Sequence, residues 1–180
     1  MFDKDMHIRG RHATYWKALA KTPANAADTS NNFKIFENYI SVYMTAPIIG
    51  LIYGRRGKAD PADESKDTAG MLAEILIKNQ SKLKYIYRLI VLLDHSEGLT
   101  TQEKLDRAFR ESENEAGTKA GMQVFHSYFL GGLEVLYETF VEQCTTDEDF
   151  MNQMYFFIEE FKREQGIEEK VPDLDSLLRR

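Results

Sequence analysis

Side chains that could carry catalysis or bind a metal are few in this chain of 180 residues. They comprise four histidines and a single cysteine, at positions His7, His12, His95, His126 and Cys144. Metal sites need clustered His, Cys and carboxylate ligands, and no two of these histidines have a ligand-like spacing on a predicted helix. The sequence also contains neither a phosphate-binding glycine loop nor a Gly-x-Ser-x-Gly nucleophile motif. We therefore expect no bound metal and no cofactor, and a protein that acts without catalysis.

One pair of residues still has a spacing that suits chemistry. Arg88 and His95 are seven residues apart, which places them on one face of a helix, about 10 Å apart along its axis. This Arg-x(4–6)-His spacing is similar to the motif of HEPN ribonucleases, which implies a histidine that acts on the RNA 2′-hydroxyl and an arginine that binds the phosphate. The sequence departs from that pattern at Leu89, where the family usually has a polar residue. The alternative is an arginine that pairs with Asp94, with Glu103 or with acidic residues farther along the chain while its stem covers apolar surface.

Composition excludes several classes of protein. The chain is 43% hydrophobic and 12% aromatic, which is typical of a globular domain rather than a disordered one. The uncharged stretch 39–53 contains Pro47 and Gly50 and is 15 residues long, shorter than the ~20 residues of a membrane-spanning helix. We predict that it is a buried, kinked core helix. The first residues do not resemble a secretory signal and the lone cysteine cannot form an internal disulfide, so we expect a cytoplasmic protein with no membrane contact.

The net charge of −6 conceals an uneven distribution along the chain. Residues 1–58 hold nine lysines and arginines against four acidic residues, a net charge of +5. Residues 59–118 hold eight against twelve, a net charge of −4, and residues 119–180 hold six against thirteen, a net charge of −7. We expect the basic third either to dock on the acidic third or to face an acidic partner such as nucleic acid.

Basic and aromatic residues in the first third form the predicted contact surface. A phosphate backbone is held by cations and a base is stacked on an aromatic ring, which is the chemistry that this composition offers. The predicted partner or nucleic-acid contacts are Arg9, Arg11, Trp16, Arg55, Arg56 and Lys58. The alternative is that these cations lie at solvated helix ends and that Trp16 belongs to the core.

A predicted acidic face and a glycine pair occur on the same predicted helix, 122–140. Glu134, Glu138 and Glu142 recur every four residues, where like charges are mildly unfavourable. They are expected to meet cations from the first third or from a partner, or to form a solvated acidic face. The pair Gly131–Gly132 costs roughly 1 kcal/mol per glycine relative to alanine. We therefore predict that another helix crosses there, with the region of Gly50 as the candidate.

The apolar period predicts one long helix over residues 68–94, about 40 Å in length, near the centre of the fold. Its predicted buried stripe is Leu72, Leu76, Leu83, Ile86, Ile90 and Leu93, and its second half is expected to be surrounded by other helices. Further helices are predicted over 10–21, over 33–53, and after a capping box formed by Thr100 and Glu103. That last helix should turn Leu105, Ala108 and Phe109 inward. A sixth helix is predicted to start at Thr146, to stop at Gly166 and to bury Phe150, Met154, Phe157 and Phe161.

The sequence thus predicts an all-α fold, a single-domain bundle of about six helices with two long central helices. The bundle is expected over residues 1–166, with a C-terminal tail, 167–180, that is either a frayed end or an amphipathic segment that docks on a partner. We expect a small non-enzymatic subunit of a larger assembly, which binds protein partners as a hetero- or homo-oligomer in a nucleic-acid-processing or defence complex. Two alternatives stay open. One is a HEPN-like, metal-independent ribonuclease that uses Arg88 and His95, and the other is direct nucleic-acid binding by the basic N-terminal third.

Overall fold

The computed structural model describes residues 1–21, 34–59, 66–95, 98–110, 115–164 and 166. The helices and strands in these residues follow the order β1 (Met6–Arg9), α1 (Arg11–Leu19), α2 (Tyr39–Ile52), β2 (Thr68–Met71), α3 (Ala73–Lys78), α4 (Gln80–Leu93), α5 (Thr101–Leu105), α6 (Glu115–Tyr137) and α7 (Asp147–Glu164). Two π-helical turns, Asp106–Arg110 and Glu138–Glu142, follow α5 and α6. The predicted all-α bundle is confirmed, with one small sheet added. The predicted docking tail, 167–180, lies outside the described residues.

The centre of the fold is a close crossing of α2 over α6. Gly50 of α2 lies against the carbonyl oxygen of Tyr128, and Gly132 of α6 lies against the carbonyl oxygen of Ala46. A Cβ atom at either glycine would overlap the backbone of the opposing helix. Such an approach is open only to residues without a side chain. The crossing predicted from Gly131–Gly132 and the Gly50 region is therefore confirmed.

Aromatic side chains fill the space beside this crossing. Trp16, Tyr43, Phe125 and Phe129 each expose 1% or less of their surface. The ring of Phe129 meets Tyr43 and Trp16 edge to face, at centroid distances of 4.9 Å and 5.2 Å, the arrangement that aromatic quadrupoles favour. The stretch that includes α2 is thus part of the core, as predicted. None of the described helices is both long enough and apolar enough to cross a membrane.

Residues 68–94 do not form the single helix that the apolar period predicts. The first four residues form β2, which pairs antiparallel with β1 so that Met6 lies opposite Met71. The chain then forms α3 and α4, which are separate helices because helical geometry is interrupted at Asn79. A helical period within one segment carries no information about a strand partner far away in the chain. The helix that crosses α6 at its paired glycines is α2, whereas α4 contacts α6 through Tyr87 beside Gly121.

The buried stripe predicted for residues 68–94 is correct in the middle and wrong at both ends. Leu76, Leu83, Ile86 and Ile90 are buried, whereas Leu72 and Leu93 are exposed. Tyr85 also projects into solvent, with 70% of its surface exposed. The prediction that other helices surround the second half of this segment is therefore wrong, because α4 is a peripheral helix with one buried face.

Side-chain caps set the start of several helices. The Oδ1 atom of Asn38 accepts a hydrogen bond from the Ser41 amide at 3.0 Å, so α2 begins at Tyr39 and not near residue 33 as predicted. The amide of Phe36 instead donates to the carbonyl oxygen of Leu19, in an extended segment. The predicted capping box of Thr100 and Glu103 is confirmed. A side-chain oxygen at these positions, from a carboxamide, hydroxyl or carboxylate group, accepts from amides that the helix itself leaves unpaired.

The short segment after the capping box packs differently from the prediction. Ala108 is buried, but Leu105 and Phe109 are exposed by 40% and 44%. Phe109 lies in the π-helical turn Asp106–Arg110, which places more residues in each turn than an α-helix does, so its side chain departs from the predicted α-helical face. Leu105 is the last residue of α5 and precedes that turn.

We predict that Gly132→Ala destabilises the protein. Alanine favours the helical conformation over glycine by about 1 kcal/mol. If the space around position 132 were open, the substitution would therefore stabilise the helix. Overlap with the Ala46 carbonyl should outweigh that gain, at a cost of about 1–3 kcal/mol. The control is Gly98→Ala, which has positive φ and open space, where backbone strain alone costs about 1–2 kcal/mol. Denaturant unfolding measures both, and a more stable Gly132→Ala protein would contradict the close crossing.

A histidine and a tyrosine pair at one end of the α2 and α6 crossing. The hydroxyl group of Tyr43 and Nε2 of His126 are 3.0 Å apart. Burial lowers the pKa of His126 to about 4 and raises the pKa of Tyr43. Both side chains are therefore neutral at physiological pH, because a buried site disfavours the charged form of each.

The lowered pKa of His126 predicts a loss of stability in acid. The unfolded chain takes up a proton near pH 6.5, whereas the folded chain resists protonation until about pH 4. The contribution of His126 is thus complete above pH 6.5 and is lost as the pH falls toward 4, with a total of at most about 3 kcal/mol. Unfolding measured between these pH values should show a smaller pH dependence for His126→Gln than for the wild type. Equal slopes for the two proteins would contradict this assignment.

Candidate functional site

The acidic residues of α6 meet the basic first third inside the molecule. Nε2 of His12 donates to Oε1 of Glu134 at 2.9 Å, and Nε of Arg55 donates to Oε2 of the same carboxylate at 3.1 Å. Arg11 approaches Oε1 at 3.4 Å. The side chain of Glu134 is only 12% exposed and that of His12 only 2%. This cluster of Arg11, His12, Arg55 and Glu134, called the charge cluster below, joins α1, α6 and the end of α2.

The next acidic residue on α6 extends the cluster toward solvent. The two terminal nitrogens of Arg55 donate to the two carboxylate oxygens of Glu138, at 2.9 Å and 2.6 Å. Such a two-pronged contact is the geometry that a planar guanidinium favours. Glu142 lies one further turn along the chain and is exposed. The sequence left open whether cations from the first third or from a partner meet this face. The first third supplies the cations that contact Glu134 and Glu138.

Arg56 makes a second set of internal contacts. Its Nε donates to Oγ of Ser127 at 2.8 Å, and its guanidinium lies 5.3 Å from the centre of the Tyr128 ring. The hydroxyl group of Tyr128 donates to Oδ1 of Asp94, a carboxylate that is 5% exposed and 4.0 Å from Arg56. Burial and this carboxylate raise the pKa of Tyr128 to about 12. The basic cluster after α2 is thus bound to α6 and to the end of α4.

These contacts engage Arg11, Arg55 and Arg56 within the molecule, although the side chains of Arg11 and Arg55 remain 52% and 43% exposed. Trp16 is fully buried, with its Nε1 donating to the Tyr39 carbonyl oxygen at 3.3 Å, so its ring offers no face to a base. Trp16 is therefore corrected from a contact residue to a core residue, because its large apolar ring gains more from packing between α1 and α2 than from exposure. Arg9 and Lys58 are exposed on separate elements.

The structure does not bring Arg88 and His95 together on one helix face. α4 ends at Leu93, so His95 lies beyond the helix. Nδ1 of His95 accepts a hydrogen bond from Nζ of Lys104 at 3.2 Å, whereas the Arg88 guanidinium lies 4.8 Å above the ring of Phe109. Each residue thus has its own partner, and the geometry that the HEPN resemblance implies is not formed.

Neither a metal centre nor a reactive thiol emerges from the described part of the chain. Within it, no group of three or more His, Cys, Asp or Glu side chains is arranged to hold a metal ion. Burial and the neighbouring Asp149 raise the pKa of the Cys144 thiol, which disfavours the nucleophilic thiolate.

Helix α7 carries the largest group of exposed large apolar side chains among the described residues. Thr146 caps it through a hydrogen bond from the Asp149 amide, as predicted. Its inner side packs on Phe140 and Tyr53, which lie 5.2 Å and 6.1 Å from the ring of Phe157. The predicted buried stripe, Phe150, Met154, Phe157 and Phe161, is only half-buried, because a single thin layer of neighbours covers it.

A second apolar stripe of α7 faces solvent. We name as the outer face of α7 the residues Met151, Tyr155 and Ile158, which share one side of the helix, together with Phe156, which lies about 100° round the helix from Tyr155 and contacts its ring at a centroid distance of 5.9 Å. In chain order, Met151, Tyr155, Phe156 and Ile158 are exposed by 67%, 62%, 63% and 44%. Sequence reasoning missed this stripe, although the spacing of residues 151, 155 and 158 is that of one helical face. Exposed apolar residues also occur around α3, at Leu72, Ile75 and Ile77, but the outer face of α7 concentrates four large side chains within eight residues. Contiguous apolar surface of this kind marks interaction sites in soluble proteins.

Removal of the Glu134 carboxylate should be far more destabilising than removal of its exposed neighbour. Glu134→Leu leaves the buried His12 and the Arg55 guanidinium without their shared acceptor, which we expect to cost about 3 kcal/mol. Glu142→Gln changes an exposed residue on the same helical segment and should change stability by less than about 0.5 kcal/mol. Urea unfolding of the two variants measures the difference. Equal stabilities would mean that the charge cluster does not hold α1 against α6.

Comparisons with known proteins supply no relative from which a function could be transferred. No protein-family model matches the chain, and neither a curated protein nor a solved structure shows significant similarity to it.

Proposed function

We propose that this protein is a non-enzymatic helical subunit that binds a partner protein through the outer face of α7. The single observation that carries the proposal is the exposure of Met151, Tyr155, Phe156 and Ile158 on one helix. Methionine and aromatic residues are enriched in the centres of protein interfaces. Complete burial of a large apolar side chain contributes roughly 1.5–3 kcal/mol, so four of them provide enough apolar surface for the centre of an interface.

The chemistry of the partner follows from the charges that surround this face. Helix α7 contains six acidic residues, Asp147, Glu148, Asp149, Glu159, Glu160 and Glu164, and two basic ones, Lys162 and Arg163, for a net charge of −4. The acidic residues lie at both ends of the apolar stripe. A complementary partner is a protein helix with an apolar stripe that is flanked by lysine and arginine residues, because opposite charges steer association and like charges oppose it.

A second copy of the chain fits this surface less well. The whole chain has a net charge of −6, and two α7 helices in contact would bring together two helices of net charge −4. The cations of the first third that could offset this repulsion include Arg11 and Arg55, which already contact Glu134. We therefore propose a hetero-oligomer. An assembly that processes nucleic acid stays a prediction from the sequence, as does binding by the basic third.

The ribonuclease alternative receives no support from the geometry. Catalysis on RNA would need Arg88 and His95 to reach the same phosphodiester. The two side chains instead contact Phe109 and Lys104, respectively.

Charge substitution on the outer face should abolish partner binding without unfolding the protein. The double variant Tyr155→Glu/Ile158→Glu places carboxylates at exposed positions, where the fold tolerates them but an apolar interface does not. The matched control is Tyr85→Glu, which alters a tyrosine of similar exposure on α4. Affinity purification from the native host at low and high salt, with quantitative mass spectrometry, compares the three proteins. We expect a salt-sensitive partner that the control retains and the double variant loses.

Photo-cross-linking identifies the surface that the partner presents. A benzoylphenylalanine placed at position 156 should react with an apolar helix of the partner that is flanked by lysine or arginine, whereas the same group at position 85 should not. A cross-link to another copy of this chain would overturn the proposed hetero-oligomer. A partner retained equally by all three proteins would overturn the assignment to α7.

A further inference from the structure

A pocket of about 320 Å³ lies between the N-terminal segment and the end of the α2 and α6 crossing. Its apolar walls come from Phe2, Met6, Leu76 and Met122. Residues 2–7 form one side of the pocket, while α2, α3 and α6 supply the rest. This volume is at the lower end of the range for small-molecule sites, so it suits a compact ligand. The pocket is remote in sequence from the outer face of α7 and has no part in the proposed function.

The segment that closes this pocket is held in an unusual conformation. Phe2 has a φ of 59°, in the left-handed region that residues other than glycine rarely adopt. Its ring is 6% exposed and meets Phe125 and Tyr43 edge to face, at centroid distances of 5.7 Å and 6.3 Å. The segment is also anchored through Asp5, whose Oδ1 accepts a hydrogen bond from the Ala73 amide at 2.7 Å. Strained backbone that is held in this way is a recurrent property of ligand sites.

A histidine with spare hydrogen-bonding capacity faces this space. Nε2 of His126 is engaged by the Tyr43 hydroxyl, whereas no acceptor or donor for Nδ1 occurs in the described residues. Because the phenol has a single hydrogen and the neutral imidazole nitrogen is the better acceptor, we take Tyr43 as the donor, which leaves the ring proton of His126 on Nδ1. His126 therefore offers a polar contact and an aromatic face to a ligand.

Charged groups line one side of the pocket. Asp3 and Asp5 contribute two carboxylates against the single ammonium group of Lys4. The α-amino group of Met1 forms an ion pair with Asp3 at 3.1 Å, so Asp5 is the carboxylate that remains for a ligand. Asp5 accepts the Ala73 amide on one oxygen, and its second oxygen is available to another donor. An apolar cavity with such a carboxylate on one side is complementary to a cation that carries an apolar body.

We propose that this pocket binds a small protonated amine with an apolar body, of the size of an arylalkylamine. The apolar part lies among Phe2, Leu76 and Met122, and the ammonium group contacts the carboxylate of Asp5. Lys4 disfavours a second positive charge on the ligand. The aromatic face of His126 borders the cation, and its ring nitrogen hydrogen-bonds to any hydroxyl group that the ligand carries.

The test uses three probes of one size that differ in charge, namely 2-phenylethylamine, 2-phenylethanol and 3-phenylpropanoate. Titration of the full chain is followed by the imidazole NMR signals of His126 and by calorimetry. We expect the amine to bind more tightly than the alcohol by about threefold to tenfold, in the range of one or two exposed charge contacts. The carboxylate should bind most weakly, and the shifts should centre on His126.

The variant Asp5→Asn tests the role of the negative charge separately from the role of the hydrogen bond to the Ala73 amide. Asparagine retains the oxygen that caps α3 and is as good a cap as aspartate, so the variant loses only the negative charge. The preference for the amine over the alcohol should fall to less than about twofold in this variant. Glu148→Gln, which removes an exposed carboxylate on α7, should leave the preference unchanged. Equal binding of the three probes, tighter binding of the acid, an unaltered preference in Asp5→Asn, or no binding at all would each overturn the proposal.

Discussion

The contact of the α2 backbone with the α6 backbone determines where most other parts of this protein lie. Gly50 and Gly132 allow carbonyl oxygens of one helix to rest on the Cα atoms of the other, so the two axes approach more closely than larger residues would allow. The chain that leaves α2 continues along α6, with Gly131 against the carbonyl oxygen of Arg55 and the Gly57 amide donating to the Ser127 carbonyl oxygen at 2.8 Å. The positions of Arg55 and Arg56 follow directly from this path.

Because the chain follows this path, basic residues of the first third form ion pairs and hydrogen bonds with residues of α6 inside the molecule. Arg55 reaches Glu134 and Glu138, and Arg56 reaches Ser127 and Asp94. A buried carboxylate is tolerated only where cations and hydrogen-bond donors surround it, and Glu134 has three such neighbours. Part of the acidic charge of the last third is thereby offset inside the molecule. The acidic residues of α7 contact no residue of the first third among the described contacts, which leaves that helix as an apolar and acidic surface for a partner.

Features that depend on local physics could be predicted from the sequence. The capping box at Thr100 and the cap at Thr146 were recognisable because a hydroxyl group three residues before a helical amide acts within one turn. The glycine pair in α6 predicted a crossing because such a cost inside a helix needs a compensating contact. Even the identity of the crossing helix followed, since Gly50 was a conspicuous glycine within an apolar stretch.

Features that depend on distant residues could not be predicted in this way. The residues of Thr68–Met71 do not by themselves favour a strand. They form one because β1 lies beside them and supplies the paired backbone. Trp16 was assigned to a surface by its basic neighbours, whereas its burial is decided by Tyr39 and Phe129, which come from other helices. The separation of Arg88 from His95 depends on where α4 ends. The exposure of the outer face of α7 could not be predicted, because it depends on which side of that helix the neighbouring segments cover.

The central claim is that a rigid, glycine-packed core carries a helix with little cover of its own. Amide hydrogen exchange of the isolated chain, followed by mass spectrometry or NMR, tests it most directly. Amides of α6 around Gly132 should exchange only through global unfolding, whereas amides of α7 should exchange faster by about two orders of magnitude through local opening. Protection of α7 equal to that of α6 would show that α7 is an integral part of the core and would contradict the account of an exposed docking helix.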